Sequence, residues 1–251
     1  MPEFQVVGNV DPFLLVNFQK GESIYSESDA MVTMDATLEL KGKARGGFLR
    51  SLARKFTAGE SFFQQSIEAT GGEGQALLSP ELPGDIEILD VGVKQYRMND
   101  GAFLAATDNV HISIKSQGIG QAIFGGTGGL FIMETSGEGK LAVSGFGAVF
   151  GLDITAGNDM IVDNYHVVAW DSTLNYKISL STAKGGFLSN LVGSVTSGEG
   201  IVNRFSGNGK VYVCSRNRGG FLSWIASNIP GLSNQRNRQS SGSSGVLDDV
   251  L

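Results

Sequence analysis

The chain has 251 residues, of which 41% are hydrophobic and 18% charged, and its mean hydropathy is +0.02. These values are typical of a globular protein and exclude a chain that is disordered or embedded in a membrane over most of its length. The formal net charge of -6 and the isoelectric point near 5.0 disfavour a nucleic-acid surface that covers the whole molecule, because phosphate binding needs a basic face.

The beginning of the chain, residues 1–16, has acidic residues and no basic region ahead of an apolar run. It therefore lacks the pattern of a signal or transit peptide. No later stretch reaches the roughly 18 apolar residues that a membrane span needs. We expect a soluble, cytoplasmic protein, with peripheral contact to a membrane left open.

Glycine is abundant and proline scarce, at 36 and 5 residues. This combination predicts β-strands joined by tight turns, since glycine supplies the positive φ that short hairpins require. Apolar residues alternate over short stretches such as 165–170 and 210–213, as they do in half-buried strands. We predict an all-β fold rather than alternating strands and helices.

A glycine-glutamate turn recurs three times, and a Gly-Gly-Phe-Leu motif precedes the first and the third. The offset from the first to the third copy, 139 residues, is the same for both motifs. Such agreement indicates an internal repeat. The three turns are Thr57-Ala58-Gly59-Glu60, Thr135-Ser136-Gly137-Glu138-Gly139 and Thr196-Ser197-Gly198-Glu199-Gly200.

The repeat predicts three tandem β-modules, followed by a further Gly-Gly-Phe-Leu segment that docks as a short helix or an extra strand. The end of the chain is too polar to offset the entropy of ordering, so we predict that it is disordered. The predicted boundaries are 1–84, 85–154 and 155–217 for the modules, 218–232 for the docking segment and 233–251 for the tail.

The order of these motifs resembles the altered-inheritance-of-mitochondria family over residues 1–217. The resemblance is carried by the Gly-Gly-Phe-Leu motifs, Gly59-Glu60-Ser61-Phe62-Phe63, Leu82-Pro83-Gly84-Asp85-Ile86 and Val167-Val168-Ala169-Trp170-Asp171. It implies modules similar to the tryptophan RNA-binding attenuation protein (TRAP), each a short double-stranded β-helix. It also implies trimers with a ring of nine modules, and, for mitochondrial members, a link to inner-membrane organisation and respiratory-complex assembly.

A physical argument agrees with the ring. Three tandem modules leave one unpaired strand edge at each end, and proteins cover or pair such edges. Closing the chain head to tail with further copies pairs both edges. We therefore expect a homo-oligomer.

Three carboxylates recur with the glycine turns. A carboxylate beside a glycine turn commonly accepts backbone N–H bonds, so we interpret them as turn residues, with a ring of charge or a contact to the next module as the alternative. No adjacent pair indicates general acid-base catalysis. The three are Glu60, Glu138 and Glu199.

A second recurring set places a basic residue just before Gly-Gly-Phe-Leu. Burial of the phenylalanine is the favoured interpretation. Contact of the cation and the aromatic ring with a membrane or a protein is the alternative, and stacking on nucleic-acid bases is disfavoured. The residues are Arg45 with Phe48, Lys184 with Phe187, and Arg218 with Phe221.

The remaining polar motifs predict no cofactor or metal. His111 and His166 each stand alone, whereas zinc takes three or four ligands. The glycine-rich stretch 118–129 lacks the Gly-Lys-Ser/Thr ending of a phosphate loop. Cys214, the single cysteine, lies in a predicted strand, so we expect a buried, inert thiol.

We predict a non-enzymatic interaction scaffold that assembles with itself and contacts a protein or a membrane surface. One alternative is a small-ligand binder or enzyme on a cupin-like double-stranded β-helix, which needs histidines and carboxylates clustered inside one module. A second is an RNA-binding ring, which rests on fold analogy alone.

Overall fold

A computed structural model describes residues 1–43, 64–99, 101–116, 131–180 and 201–229. The chain divides into two compact units, Met1–Ser215 and Arg216–Leu251. In the first unit the described residues form strands, apart from the turns and a short 3-10 helix at Asn164–His166; the second unit contributes one α-helix. The predicted all-β class is confirmed.

The strands are short, as the alternating apolar pattern predicts. In chain order they are β1 (Glu3–Val7), β2 (Phe13–Phe18), β3 (Ser23–Glu27), β4 (Met31–Met34), β5 (Glu39–Lys43), β6 (Gln64–Glu68), β7 (Gly74–Leu78), β8 (Gly84–Val91), β9 (Tyr96–Asn99), β10 (Phe103–Thr107), β11 (Val110–Ser116), β12 (Phe131–Gly137), β13 (Gly139–Phe146), β14 (Val149–Ile154), β15 (Met160–Asp163), β16 (Val167–Asp171), β17 (Asn175–Leu180), β18 (Ile201–Ser206) and β19 (Gly209–Cys214). The helix α1 is Arg218–Asn228.

The strands of the described ranges form four antiparallel sheets. The spatial orders are β1-β2-β7-β4 in the first sheet, β5-β6-β3-β10-β13-β8 in the second, β11-β12-β9-β16-β19-β14 in the third and β15-β18-β17 in the fourth. Adding six to every strand number of the second sheet gives the third sheet in the same order. The second and third sheets are therefore built in the same way.

Among the described residues of the first unit, three apolar clusters form the interior. One surrounds Leu14 and Ile67 and also takes in Leu104 from β10. A second surrounds Met98 and includes Val168 and Tyr212 from later strands, and a third surrounds Trp170. Because the first two clusters draw side chains from successive groups of strands, the sheets share their cores rather than forming separate domains.

A close backbone contact lies where β8 begins. Gly84 pairs with Gly147 through an isolated bridge, and a Cβ added at Gly84 would lie 1.9 Å from the carbonyl oxygen of Gly145. No side chain fits in that space, so only glycine allows β8 to approach this closely. Gly84 belongs to one of the motifs on which the family resemblance depends.

Candidate functional site

Two strands at the outer edges of the first and fourth sheets carry exposed apolar side chains. On β4 Val32 is 53% exposed, and on β15 Ile161 is 64% exposed. Neither strand pairs on its outer side with any other strand of the described residues. We call β4 and β15 the open edges, because an unpaired apolar edge can pair with a strand of another molecule.

Strands β10 and β16 have the same local geometry as β4 but lie inside sheets. Each of the three pairs on one side with a longer strand, and a register shift follows its first residue. The shifts fall between Met31 and Thr33, between Phe103 and Ala105, and between Val167 and Ala169. The residue at the shift is fully buried in β10 and β16, as Leu104 and Val168, but exposed in β4, as Val32.

The second side of β10 and β16 is occupied. β10 pairs with β3 through Ala105–Ser26, Ala106–Tyr25 and Thr107–Ile24. β16 pairs with β9 through Ala169–Met98, Trp170–Arg97 and Asp171–Tyr96. β3 lies beside β6 in the second sheet, β9 beside β12 in the third and β15 beside β18 in the fourth. β3, β9 and β15 therefore hold the same place in their sheets. β4 thus corresponds to β10 and β16, and β15 corresponds to β3 and β9, the strands with which β10 and β16 pair. Within one chain β4 and β15 do not pair with each other.

At the last residue of β10 and of β16, and one residue after the end of β4, a side chain accepts a hydrogen bond from the backbone of a neighbouring strand. Asp35 Oδ2 accepts from Gln75 N at 2.8 Å, Thr107 Oγ1 from Lys140 N at 3.0 Å and Asp171 Oδ2 from Lys210 N at 2.9 Å. The Asp171 side chain is buried, and its Oδ1 has no hydrogen-bond partner among the described residues. Lys94 Nζ lies 3.7 Å from its Oδ2.

Two buried tyrosines stand beside Asp171. Tyr96 and Tyr212 line a surface cavity of about 480 Å³, together with residues 88–94, which form the end of β8 and the start of the turn after it. Burial, reinforced by the charges of Asp171, Asp90 and Glu87, raises the pKa of Tyr96 to about 12. Burial and the neighbouring Tyr96 likewise raise the pKa of Tyr212. Both phenols stay protonated at neutral pH, so they can donate hydrogen bonds there but cannot act as bases.

Of the three recurring carboxylates, Glu138 lies in the described part of the chain. It occupies the turn between β12 and β13, flanked by Gly137 and Gly139, which both have positive φ, and its side chain is exposed. The side chain of Gln95 stabilises this turn, because its Nε2 donates hydrogen bonds to the carbonyl oxygens of Gly92 and Gly137 at 2.8 and 2.9 Å. Glu60 and Glu199 fall outside the described residues.

The second recurring set is described only at its last member. Arg218 and Phe221 lie on α1, while Arg45, Phe48, Lys184 and Phe187 fall outside the described residues. The segment forms a helix, which is one of the two predicted alternatives. Asn217 caps it, since its Oδ1 accepts from Gly220 N at 2.8 Å. None of its side chains is buried, so at Phe221 the favoured interpretation, burial of the phenylalanine, is wrong.

The histidines and the cysteine lie apart from any metal-binding arrangement. His111 is exposed on β11, whereas His166 Nδ1 donates to the carbonyl oxygen of Cys214 at 2.7 Å. Cys214 is buried, as predicted. Within the described ranges, no three His, Cys, Asp or Glu residues are grouped so as to hold a metal ion. Over the same ranges, no helix has the length and apolar character needed to cross a membrane.

These features define an all-β protein of antiparallel sheets with exposed apolar side chains on two unpaired edge strands. The chain belongs to a family described as mitochondrial biogenesis AIM24, whose model matches residues 4–216. This match confirms the family resemblance inferred from the glycine motifs.

Two relatives from one bacterial species agree with this assignment. An uncharacterised protein of Streptococcus pyogenes serotype M6 is 37% identical over 229 residues, which is 89% of each chain. The crystal structure of a protein from Streptococcus pyogenes matches with a TM-score of 0.74 and 34% identity, covering 91% of this chain and all of that one.

Proposed function

We propose that this protein is a non-enzymatic scaffold, in which three copies close into a ring of nine β-modules by pairing β15 of one copy with β4 of the next. The open edges carry the proposal. They are the two strands whose counterparts inside the chain are paired and buried, and an edge strand of this kind is normally covered.

The strand order supports three modules in each chain. In the proposal the repeating unit has six strands, β2–β7, β8–β13 and β14–β19, and β1 is an addition to the first. These units begin close to the predicted boundaries, with the third starting at Val149 rather than at residue 155. Each unit places three strands in one sheet and three in the next, consistent with a short double-stranded β-helix like that of TRAP.

The internal pairs give the register expected between copies. In this comparison β4 takes the place of β10 and β16, and β15 takes the place of β3 and β9. The register shift in β4 then aligns with the register shifts in β10 and β16. The expected pairs are Thr33 with Val162, Met34 with Ile161 and Asp35 with Met160. The corresponding internal pair at the first position, Ala105 with Ser26, is completely buried.

Apolar burial supplies the driving force for this contact. Val32 and Ile161 would both leave water, and burying a large aliphatic side chain contributes about 1.5–3 kcal/mol. A head-to-tail contact uses two different surfaces of one chain, so it forms a closed ring when the rotation closes. The family resemblance implies closure at three copies.

A ring of this kind acts by holding other molecules rather than by transforming them. The described residues bring together no group of three His, Cys, Asp or Glu side chains that could hold a metal ion. We also propose that the ring works in the cytoplasm or its equivalent, at a membrane surface, in line with the link to inner-membrane organisation that the family resemblance implies for mitochondrial members.

The molar mass in solution tests the proposal. One chain has a mass of 26.5 kDa, so light scattering on the purified full chain at micromolar concentration should give about three times that value. A monomer at this concentration would contradict the ring.

A further inference from the structure

The cavity beside Tyr96 and Tyr212 is lined by two hydroxyl groups that the fold does not use. Tyr96 is 4% exposed and Tyr212 is 9% exposed, yet neither hydroxyl has a hydrogen-bond partner among the described residues. Neither oxygen is closed off from solvent, so both open onto the cavity that the two side chains line. A volume of about 480 Å³ is large enough for a small organic molecule.

The second sheet shows what the fold requires at these two places, because it is built like the third. Tyr96 pairs with the last residue of β16, and Ile24 pairs with the last residue of β10. Tyr212 pairs with the third residue of β16, and Ala142 pairs with the third residue of β10. Ile24 and Ala142 are completely buried. Apolar side chains therefore suffice for the strand packing, and the two phenol hydroxyls need another explanation.

Carboxylates outnumber ammonium groups around the two phenols. Four carboxylates act on the pKa values of the phenols, namely Glu87, Asp90, Asp153 and Asp171. Three of the four are paired with a lysine, Asp90 with Lys140, Asp153 with Lys210 and Asp171 with Lys94. Glu87 has no ion pair among the described residues, and burial and the charge of Asp85 raise its pKa. These surroundings favour a further cation and disfavour an anion.

We propose that the cavity binds a small organic amine in its ammonium form, which donates hydrogen bonds to the hydroxyl oxygens of Tyr96 and Tyr212 and balances the charge of Glu87. A primary ammonium group has three donors and no acceptor, and a protonated phenol still offers its oxygen as an acceptor. The proposal goes beyond the scaffold function and does not depend on the ring, because all of these residues belong to one chain.

Titration calorimetry of the full chain with 1,5-diaminopentane at neutral pH tests this inference. The diamine should bind saturably with a dissociation constant below about 1 mM. Two probes with the same carbon spacing serve as controls, the uncharged 1,5-pentanediol and the anionic glutarate. Both should bind at least about tenfold more weakly, because hydrogen bonds from a charged donor are the stronger ones.

Removing the two oxygens locates the binding. Tyr96→Phe/Tyr212→Phe keeps both rings and should weaken diamine binding about tenfold or more. The double variant should keep its fold, because neither hydroxyl has a protein partner, and its urea midpoint at neutral pH checks this. Tyr176→Phe is the matched control, since it removes a partly buried hydroxyl that does not line the cavity and should bind like the wild type.

Three results would each overturn the proposal. They are no saturable binding of the diamine by the wild type, equal affinity for the diamine and the diol, and unchanged affinity in the double variant. Tyr96→Phe alone should also weaken binding, so this single variant decides the question if the double variant does not fold.

Discussion

The carboxylate of Asp171 accepts a hydrogen bond from the backbone N–H of Lys210, with 2.9 Å between Oδ2 and the nitrogen. The bond joins the end of β16 to the start of β19. Asp171 is only 4% exposed, so water cannot replace this acceptor. Asp35, one residue after β4, and Thr107, at the end of β10, make the same bond, which identifies it as a recurring connection of the fold.

Replacing Asp171 with alanine should lower the free energy of unfolding by about 2 kcal/mol, because the Lys210 N–H loses a buried acceptor. Urea denaturation measures the change. Lys94→Ala is the control, since Lys94 is largely exposed and its pair with Asp171 should contribute at most about 1 kcal/mol. Equal losses in the two variants would show that the charge pair, rather than the hydrogen bond, stabilises the turn.

Stability should fall as the solution becomes strongly alkaline. The pKa of Tyr96 is raised to about 12 in the folded chain, above its ordinary value of about 10. The neutral phenol is therefore favoured by folding below pH 10, and this contribution is lost as the pH rises from about 10 to about 12. The urea midpoint measured across this range should decline.

Tyr96→Phe separates this effect from general alkaline unfolding. The variant should match the wild type at pH 7, because the Tyr96 hydroxyl has no hydrogen-bond partner among the described residues, and it should lose less stability at high pH. Parallel declines in the two proteins would assign the alkaline loss to other groups.

Gly84→Ala should destabilise the chain by about 3 kcal/mol or more, since the added Cβ meets the Gly145 carbonyl oxygen and the backbone must move. Gly72→Ala is the matched control. There the nearest atom to an added Cβ is the Thr37 Cγ2 at 3.7 Å, so the change should stay within about 0.5 kcal/mol. Similar unfolding midpoints for the two variants would contradict the tight contact at β8.

The glycine motifs carried most of what the sequence could predict. Turns such as Gly137–Gly139 need positive φ, a requirement that shows directly in residue type, so the all-β class and the family followed from them. The burial of Cys214 followed from its apolar strand neighbours. Turn conformation and the burial of a strand residue are local properties, which depend on residues adjacent in the sequence.

The candidate site could not be predicted in the same way. In the sequence Val32 and Ile161 look like ordinary strand residues. Their exposure depends on whether a strand distant in the sequence pairs with the outer side of β4 or β15. Likewise, Asp171 and the two tyrosines meet only through the pairing of β9, β16 and β19. At Phe221 the prediction of burial failed because α1 buries no side chain, and the motif alone could not show this.

Ile161→Asp should convert the ring to smaller species, because it places a charge where the ring would bury an aliphatic side chain. Light scattering at micromolar concentration measures the mass. Val93→Asp introduces the same charge at a fully exposed position away from β4 and β15 and should remain trimeric. Loss of the trimer in both variants would point to net charge rather than to the β15 edge.

Disulfide cross-linking tests the pairing of the open edges most directly. Met34 and Ile161 are expected to face each other between copies, and directly opposed strand residues lie within the roughly 4.4–6.8 Å Cα separation of a disulfide. The variant Met34→Cys/Ile161→Cys should, on oxidation, give covalent species of up to three chains and none larger. Thr33→Cys/Ile161→Cys, whose side chains would point to opposite faces, should not cross-link. Absence of cross-linking in the first variant, equal cross-linking in both, or a ladder that continues beyond three chains would contradict the closed ring.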